Sequence, residues 1–174
     1  MAIKREKTDG KIYDYFKTDP IILSGKFARY ADAMWKQNKI EDDSRFVKLL
    51  DLYAVSAIIG FRKGERLPDD KMGTDKRTIQ LDQIANNYTR FYTIVQIILL
   101  LDDSRGLTPT ERARMAFDTN PKSEKVYSEN MELFHSYARG GLEYLYNKLV
   151  LRPVGLDDEF VDAKIANIME FVKI

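Results

Sequence analysis

Apolar residues recur along most of this chain at intervals of three and four, the spacing of a helix with one buried face. Phe27, Tyr30, Ala31, Met34 and Trp35 form the first such block. Asp19-Pro20 ahead of them gives an acidic cap and a proline tolerated in the first turn, so a helix is expected from there to near Asn38. The densest block runs from Ser44 to Ile59 and holds Phe46, Val47, Leu49, Leu50, Leu52, Tyr53, Val55, Ile58 and Ile59. Glu41-Asp42-Asp43-Ser44 precedes it with the negative charge and capping oxygens that suit a helix start. A helix apolar on most sides must be enclosed by others. It is therefore expected to be an interior rod, more buried in its second half, because the polar stripe of Ser44, Lys48 and Asp51 is gone after Ser56.

The remaining blocks extend the pattern. Leu81, Ile84, Tyr88, Phe91, Tyr92, Val95, Ile98 and Leu99 predict one long helix closed by Asp102-Asp103-Ser104-Arg105-Gly106, roughly 30 Å from end to end. Thr108-Pro109-Thr110-Glu111 combines a capping box with a first-turn proline and starts a short helix that stops near Phe117. Tyr127, Met131, Phe134, Ala138, Leu142, Leu145 and Leu149 mark another long helix, with Gly140-Gly141 inside it. Two interior glycines cost roughly 2 kcal/mol against alanine, so a kink or a close helix crossing is expected there. Asp157-Asp158-Glu159 opens a last helix with Val161, Ile165, Ile168, Met169 and Val172 on one face. No segment shows clear strand alternation. The expected fold is an all-α, single-domain bundle of about six to seven helices spanning 12–174, with a long loop after the central helix and a flexible basic arm at 1–11. Tyr13, Tyr15 and Phe16 are expected to pin that arm to the body.

Composition narrows the function classes more than it selects one. The 174 residues suffice for one domain with a real core, and 28 basic against 27 acidic side chains leave no global field to draw nucleic acid or an anionic membrane. The absence of cysteine removes disulfides, thiol catalysis and thiolate metal sites, and fits a cytoplasmic setting. No signal peptide is expected from the charged Lys4-Arg5-Glu6-Lys7 start, and the apolar run Ile94–Leu101 is too short for a membrane span.

Candidate chemistry concentrates after the central helix. Residues 62–77 lack an apolar period and carry Arg62, Lys63, Arg66, Lys71, Lys76 and Arg77 beside Glu65, Asp69, Asp70 and Asp75. One reading is a helix end whose cations complement the dipole and whose Gly64 allows a turn. The other is a contact surface for a protein partner or for phosphates. Tyr137, Tyr144 and Tyr146 cannot share one helix face, so Tyr137 and Tyr144 join the contact candidates. His135, the sole histidine, is expected to be packed or at an edge, without a second histidine for a metal. The carboxylate pairs at Asp42-Asp43, Asp69-Asp70, Asp102-Asp103 and Asp157-Asp158 lie at helix ends or in loops without calcium-loop spacing. No catalytic, cofactor or metal site is assigned, and self-association is left open.

Val55-Ser56-Ala57-Ile58-Ile59-Gly60-Phe61-Arg62-Lys63-Gly64-Glu65-Arg66-Leu67-Pro68 resembles the small helical proteins associated with bacterial DNA phosphorothioation (Dnd-type) and related phage-defence gene cassettes, which carry a small-residue-rich helix ending in a glycine, an aromatic, basic residues and a proline. The resemblance implies a non-enzymatic accessory or adaptor subunit of a bacterial genome-defence complex, contacting a larger protein. Nucleic-acid binding through the basic arm and the 62–77 loop is the alternative.

Overall fold

The computed structural model describes residues 14–37, 45–118 and 123–151. Its elements in chain order are β1 (Ile21–Ser24), α1 (Lys26–Met34), α2 (Leu49–Lys63), β2 (Lys76–Ile79), α3 (Leu81–Ala85), α4 (Tyr88–Leu101), α5 (Pro109–Phe117) and α6 (Glu124–Leu149). The fold is thus mostly helical, as expected, with a small two-stranded antiparallel sheet that the all-α expectation lacked. Ile21 pairs with Ile79 and Ser24 with Lys76, so strands more than fifty residues apart in sequence close on each other. The alternation is real but only four residues long: Ile21 and Leu23 are buried while Ile22 faces solvent. Asp19-Pro20 consequently introduces a strand, and the first helix begins only at Lys26.

α2 is displaced from its expected bounds. Phe46 makes an isolated bridge with Trp35, Lys48 is extended, and the helix starts at Leu49 and continues through Gly60 and Phe61 to Lys63. The long helix expected over 81–101 is broken at Asn86-Asn87. There the Asn87 side-chain amide donates to the Gln83 carbonyl at 3.0 Å, a local bond that competes with continued helix. The capping box at Thr108 and Glu111 forms as expected, with both reciprocal bonds present.

α6 is continuous across Gly140-Gly141, so these glycines serve a close crossing rather than a kink. A Cβ on Gly141 would fall well inside van der Waals distance of the Ser56 carbonyl oxygen, and one on Gly60 would meet the Tyr137 carbonyl oxygen in the same way. Small residues Ser56, Ala57 and Gly60 therefore form the α2 face against α6, while bulky Ile58 turns outward and Ile59 is only half-buried. This reverses the expected burial gradient, since the first half of α2 is the more enclosed one. The core is finished from outside the helices. Phe16 sits edge-on to Phe91 and Phe134 with centroids 5.3 and 5.1 Å away, and Tyr15 stacks on Tyr127 at 5.7 Å. These two residues do anchor the start of the described chain, whereas Tyr13, the arm at 1–11, Ser44 and the helix expected after Asp157 lie outside the described residues. No helix among the described residues is long and apolar enough to cross a membrane.

Candidate functional site

The end of α2 is fixed before any partner is considered. Gly64 closes the helix in the left-handed conformation, at φ 69°, directly after Arg62 and Lys63 in the last turn. The chain then reverses and lies along α6. The Leu67 N–H donates to the Ser136 carbonyl at 3.0 Å, and Arg139 Nε donates to the Leu67 carbonyl at 2.8 Å. A Cβ on Gly140 would collide with the Glu65 backbone, so this return path also depends on a glycine. The stretch expected to be one long exposed loop is a mostly exposed loop over 64–75, tied to α6 at Leu67, while Arg62 and Lys63 close α2 and Lys76 and Arg77 open β2.

Arg66, itself exposed, is the hub of a polar network at this turn. Its Nε and Nη1 donate to Ser136 Oγ at 3.2 Å and Ser104 Oγ at 2.8 Å, and its guanidinium lies 5.4 Å from the Tyr137 ring centroid. Ser104 Oγ donates to buried Asp102 at 2.9 Å, which also accepts from Tyr137 Oη at 2.6 Å and lies 3.4 Å from Arg105 Nε. Tyr137 is therefore buried, correcting its expected place on a contact surface. Burial and the Asp102 carboxylate push its hydroxyl pKa up to about 12. Arg77 is also engaged within the chain, donating to both Asp32 oxygens at 2.8 and 2.7 Å, although its side chain stays partly exposed. Lys71 and Lys76 are exposed but lie around the β2 side, away from Arg62 in sequence and in element.

Outward at the α2 end are Arg62, Lys63 and Arg66, the last held by Ser136 and Ser104, beside half-buried Tyr144. Lys63 Nζ stands 5.3 Å from the Tyr144 centroid and Lys148 Nζ 5.7 Å, so this tyrosine carries two ammonium groups. Arg62 has no ion-pair partner among the described residues.

A second feature, not legible in the local sequence pattern, is the outer face shared by α2 and α4. Asp51 and Arg90 pair at 2.8 Å near the starts of these helices, and Arg66 meets Ser104 at 2.8 Å beyond their ends, so the two run in the same direction. Seven and eleven residues on are nearly whole numbers of turns. Ile58 and Arg62 therefore stand over Asp51, while Ile97 and Leu101 stand over Arg90, on the same outer side. Ile58, Ile97 and Leu101 are 45, 46 and 57% exposed, and half-buried Val55 with buried Ile94 lies between them. The result is a set of exposed apolar positions on two neighbouring helices, with an ion pair at one end and cations at the other. The exposed members belong to the i, i+7, i+11 pattern of each helix, but only the cross-helix pairing reveals that the two stripes are neighbours.

His135 is packed, as expected. Its Nδ1 is 2.8 Å from Tyr53 Oη, and burial, with Arg139 nearby, pushes its pKa down to about 3. The unfolded chain binds a proton near the ordinary histidine value of about 6.5, whereas the folded chain does not until far lower pH. The contribution of neutral His135 is fully present above about pH 6.5 and declines below it by about 1.4 kcal/mol per pH unit, until the folded group itself protonates. Urea titrations from pH 7 to 4 are expected to show that slope in the difference between the wild type and His135→Asn, which keeps an acceptor for Tyr53 but cannot titrate. Identical pH profiles would contradict the assignment.

Asp70 has a structural duty too. It accepts from the Lys26 N–H at 2.7 Å, at the start of α1, and from the Gly73 N–H at 3.3 Å, which hold its carboxyl below the usual range. Asp102 is taken up by Tyr137, Ser104 and Arg105, while Asp42, Asp43, Asp157 and Asp158 lie outside the described residues. Comparison with protein-family models, characterised proteins and solved structures finds no match to this chain.

Proposed function

We propose that this protein is a non-enzymatic accessory subunit that docks an amphipathic helix of a larger protein in the groove between α2 and α4. The carrying observation is the alignment of exposed Ile58, Ile97 and Leu101 on two helices tied together at both ends, with Arg62 and Lys63 beside the far end. A docked helix would set apolar residues at i, i+4 and i+7 into such a groove. Its acidic residues would face Arg62 and Lys63, which have no carboxylate partner among the described residues. The resemblance over Val55–Pro68 supports a bacterial genome-defence complex, anti-phage or linked to DNA modification, as the setting. A cytoplasmic location and a single helical domain over 12–174 belong to the same reading.

Co-expression with the products of neighbouring genes tests it. The wild type is expected to co-purify with a larger subunit in fixed ratio, and Ile97→Glu with Arg62→Glu to lose at least nine-tenths of that recovery while melting at an unchanged temperature. Recovery of the wild type alone, or of the double variant in undiminished complex, would overturn the proposal. A second reading, nucleic-acid binding, draws on Tyr144 held between Lys63 and Lys148, and predicts DNA affinity that falls steeply with salt.

A further inference from the structure

A cleft of about 470 Å³ opens at the opposite end of α2, between the helix starts and the β2–α3 connection. Its volume is in the range of small-ligand sites, about 300 to 1,000 Å³. Half-buried Trp35 supplies an aromatic face, Lys36 and Lys48 supply two ammonium groups, and Gln80, Gln83, Asn86 and Asn87 supply four carboxamides, with no carboxylate among the described lining residues. By contrast, the groove beside His135 is lined by both Asp69 and Glu132 as well as by Lys71 and Arg139.

Each component has a matching ligand group. An indole face stacks on a flat heterocycle and is indifferent to which one. A carboxamide offers one donor edge and one acceptor, the pairing that reads the edge of a base. Ammonium groups bind phosphate as point charges. Among the described residues the side-chain amides of Gln80, Gln83 and Asn86 have no hydrogen-bond partner, and Lys36 and Lys48 have no ion pair. Only Asn87 spends a donor internally, on the Gln83 carbonyl. Among the described residues, these polar groups can engage a ligand without breaking an existing bond.

From this convergence the geometry points to a binding site for a phosphorylated nucleoside, either a free nucleotide or one residue of a single strand, with the base against Trp35 and the carboxamides and the phosphate toward Lys36 and Lys48. The site is separate from the α2–α4 groove and does not depend on the docking function.

Trp35 is the only tryptophan of the chain, so intrinsic fluorescence reads this cleft without a label. Titrations with AMP, a ten-residue oligothymidylate, adenosine and inorganic phosphate are expected to give saturable quenching by AMP, by the oligomer, or by both. Adenosine and phosphate alone should bind at least tenfold more weakly. Quenching by AMP alone assigns a free nucleotide, and quenching by the oligomer alone assigns a strand. Lys36→Ala with Lys48→Ala, both at exposed positions, should raise the dissociation constant at least tenfold, and Gln83→Ala with Asn86→Ala should also weaken binding, each variant keeping the wild-type circular dichroism. Ile97→Glu, which tests the groove, should leave quenching unchanged. The inference is overturned if neither AMP nor the oligomer quenches at millimolar concentration, if adenosine matches AMP, or if the double lysine variant binds as the wild type does.

Discussion

Gly141→Ala is expected to destabilise the protein by about 2–3 kcal/mol, the cost of overpacking a closed interface. Helix propensity alone argues for the opposite sign, a gain of about 1 kcal/mol for alanine over glycine in a helix interior. The contact decides between them. The added methyl would press on the Ser56 carbonyl and the Gly60 amide, which are backbone groups and have no rotamer to escape into. α2 and α6 would have to separate, loosening the Ala57 and Ala138 contacts that they bury. Gly64→Ala is the control. Nothing lies within 4 Å of a Cβ there, and the only cost is the left-handed backbone at φ 69°, about 1 kcal/mol. Urea denaturation of the two variants should separate them by about 5- to 30-fold in unfolding equilibrium. Equal losses, or a stabilised Gly141→Ala, would show that the helices do not cross backbone to backbone.

Asp102→Ala should cost more, about 3–5 kcal/mol, because it strands charge inside the fold rather than removing a balanced pair. Arg105 would lose its carboxylate, keeping one bond to Asn130 Oδ1 at 2.9 Å, and Tyr137 Oη would lose its 2.6 Å acceptor. Ser104, which links Asp102 to Arg66, would lose its acceptor as well. Against a typical total stability of about 5–15 kcal/mol, a loss of this size leaves a substantial unfolded fraction. Tyr137→Phe removes one bond to a charged acceptor and should cost about 1.5–3 kcal/mol. Denaturation midpoints falling in that order support the network, and an Asp102→Ala protein as stable as the wild type would refute it.

The sequence made the long-range helical pattern legible and hid what depends on pairing between distant segments. The α5 capping box and the α6 glycines could be read locally, because Thr108 and Glu111 bond to each other and Gly140-Gly141 is anomalous wherever it occurs. β1 and β2 were invisible because four alternating residues carry little periodic signal and their partners are remote. The break at Asn86-Asn87 turned on one side chain bonding its own backbone, which periodicity does not register. Ser44–Ile59 was placed too early because Phe46 and Val47 are apolar, although the former bridges to Trp35 and the latter is exposed outside the helix. Among the contact candidates, Arg62, Lys63 and Tyr144 are outward, whereas Tyr137 and Arg77 meet Asp102 and Asp32, carboxylates that no local pattern connects to them. The α2–α4 groove needed the Asp51–Arg90 pair to set the two stripes side by side.

The groove as a docking surface is tested most directly by thiol protection, since the natural chain has no cysteine and one introduced thiol is unique. Ile97→Cys lies in the groove and Met72→Cys on the exposed segment before β2. In the complex purified with its larger subunit, maleimide labelling of Cys at position 97 is expected to slow at least tenfold relative to the isolated protein, while labelling at position 72 proceeds at the same rate in both. Undiminished labelling at position 97 in an intact complex would contradict the account.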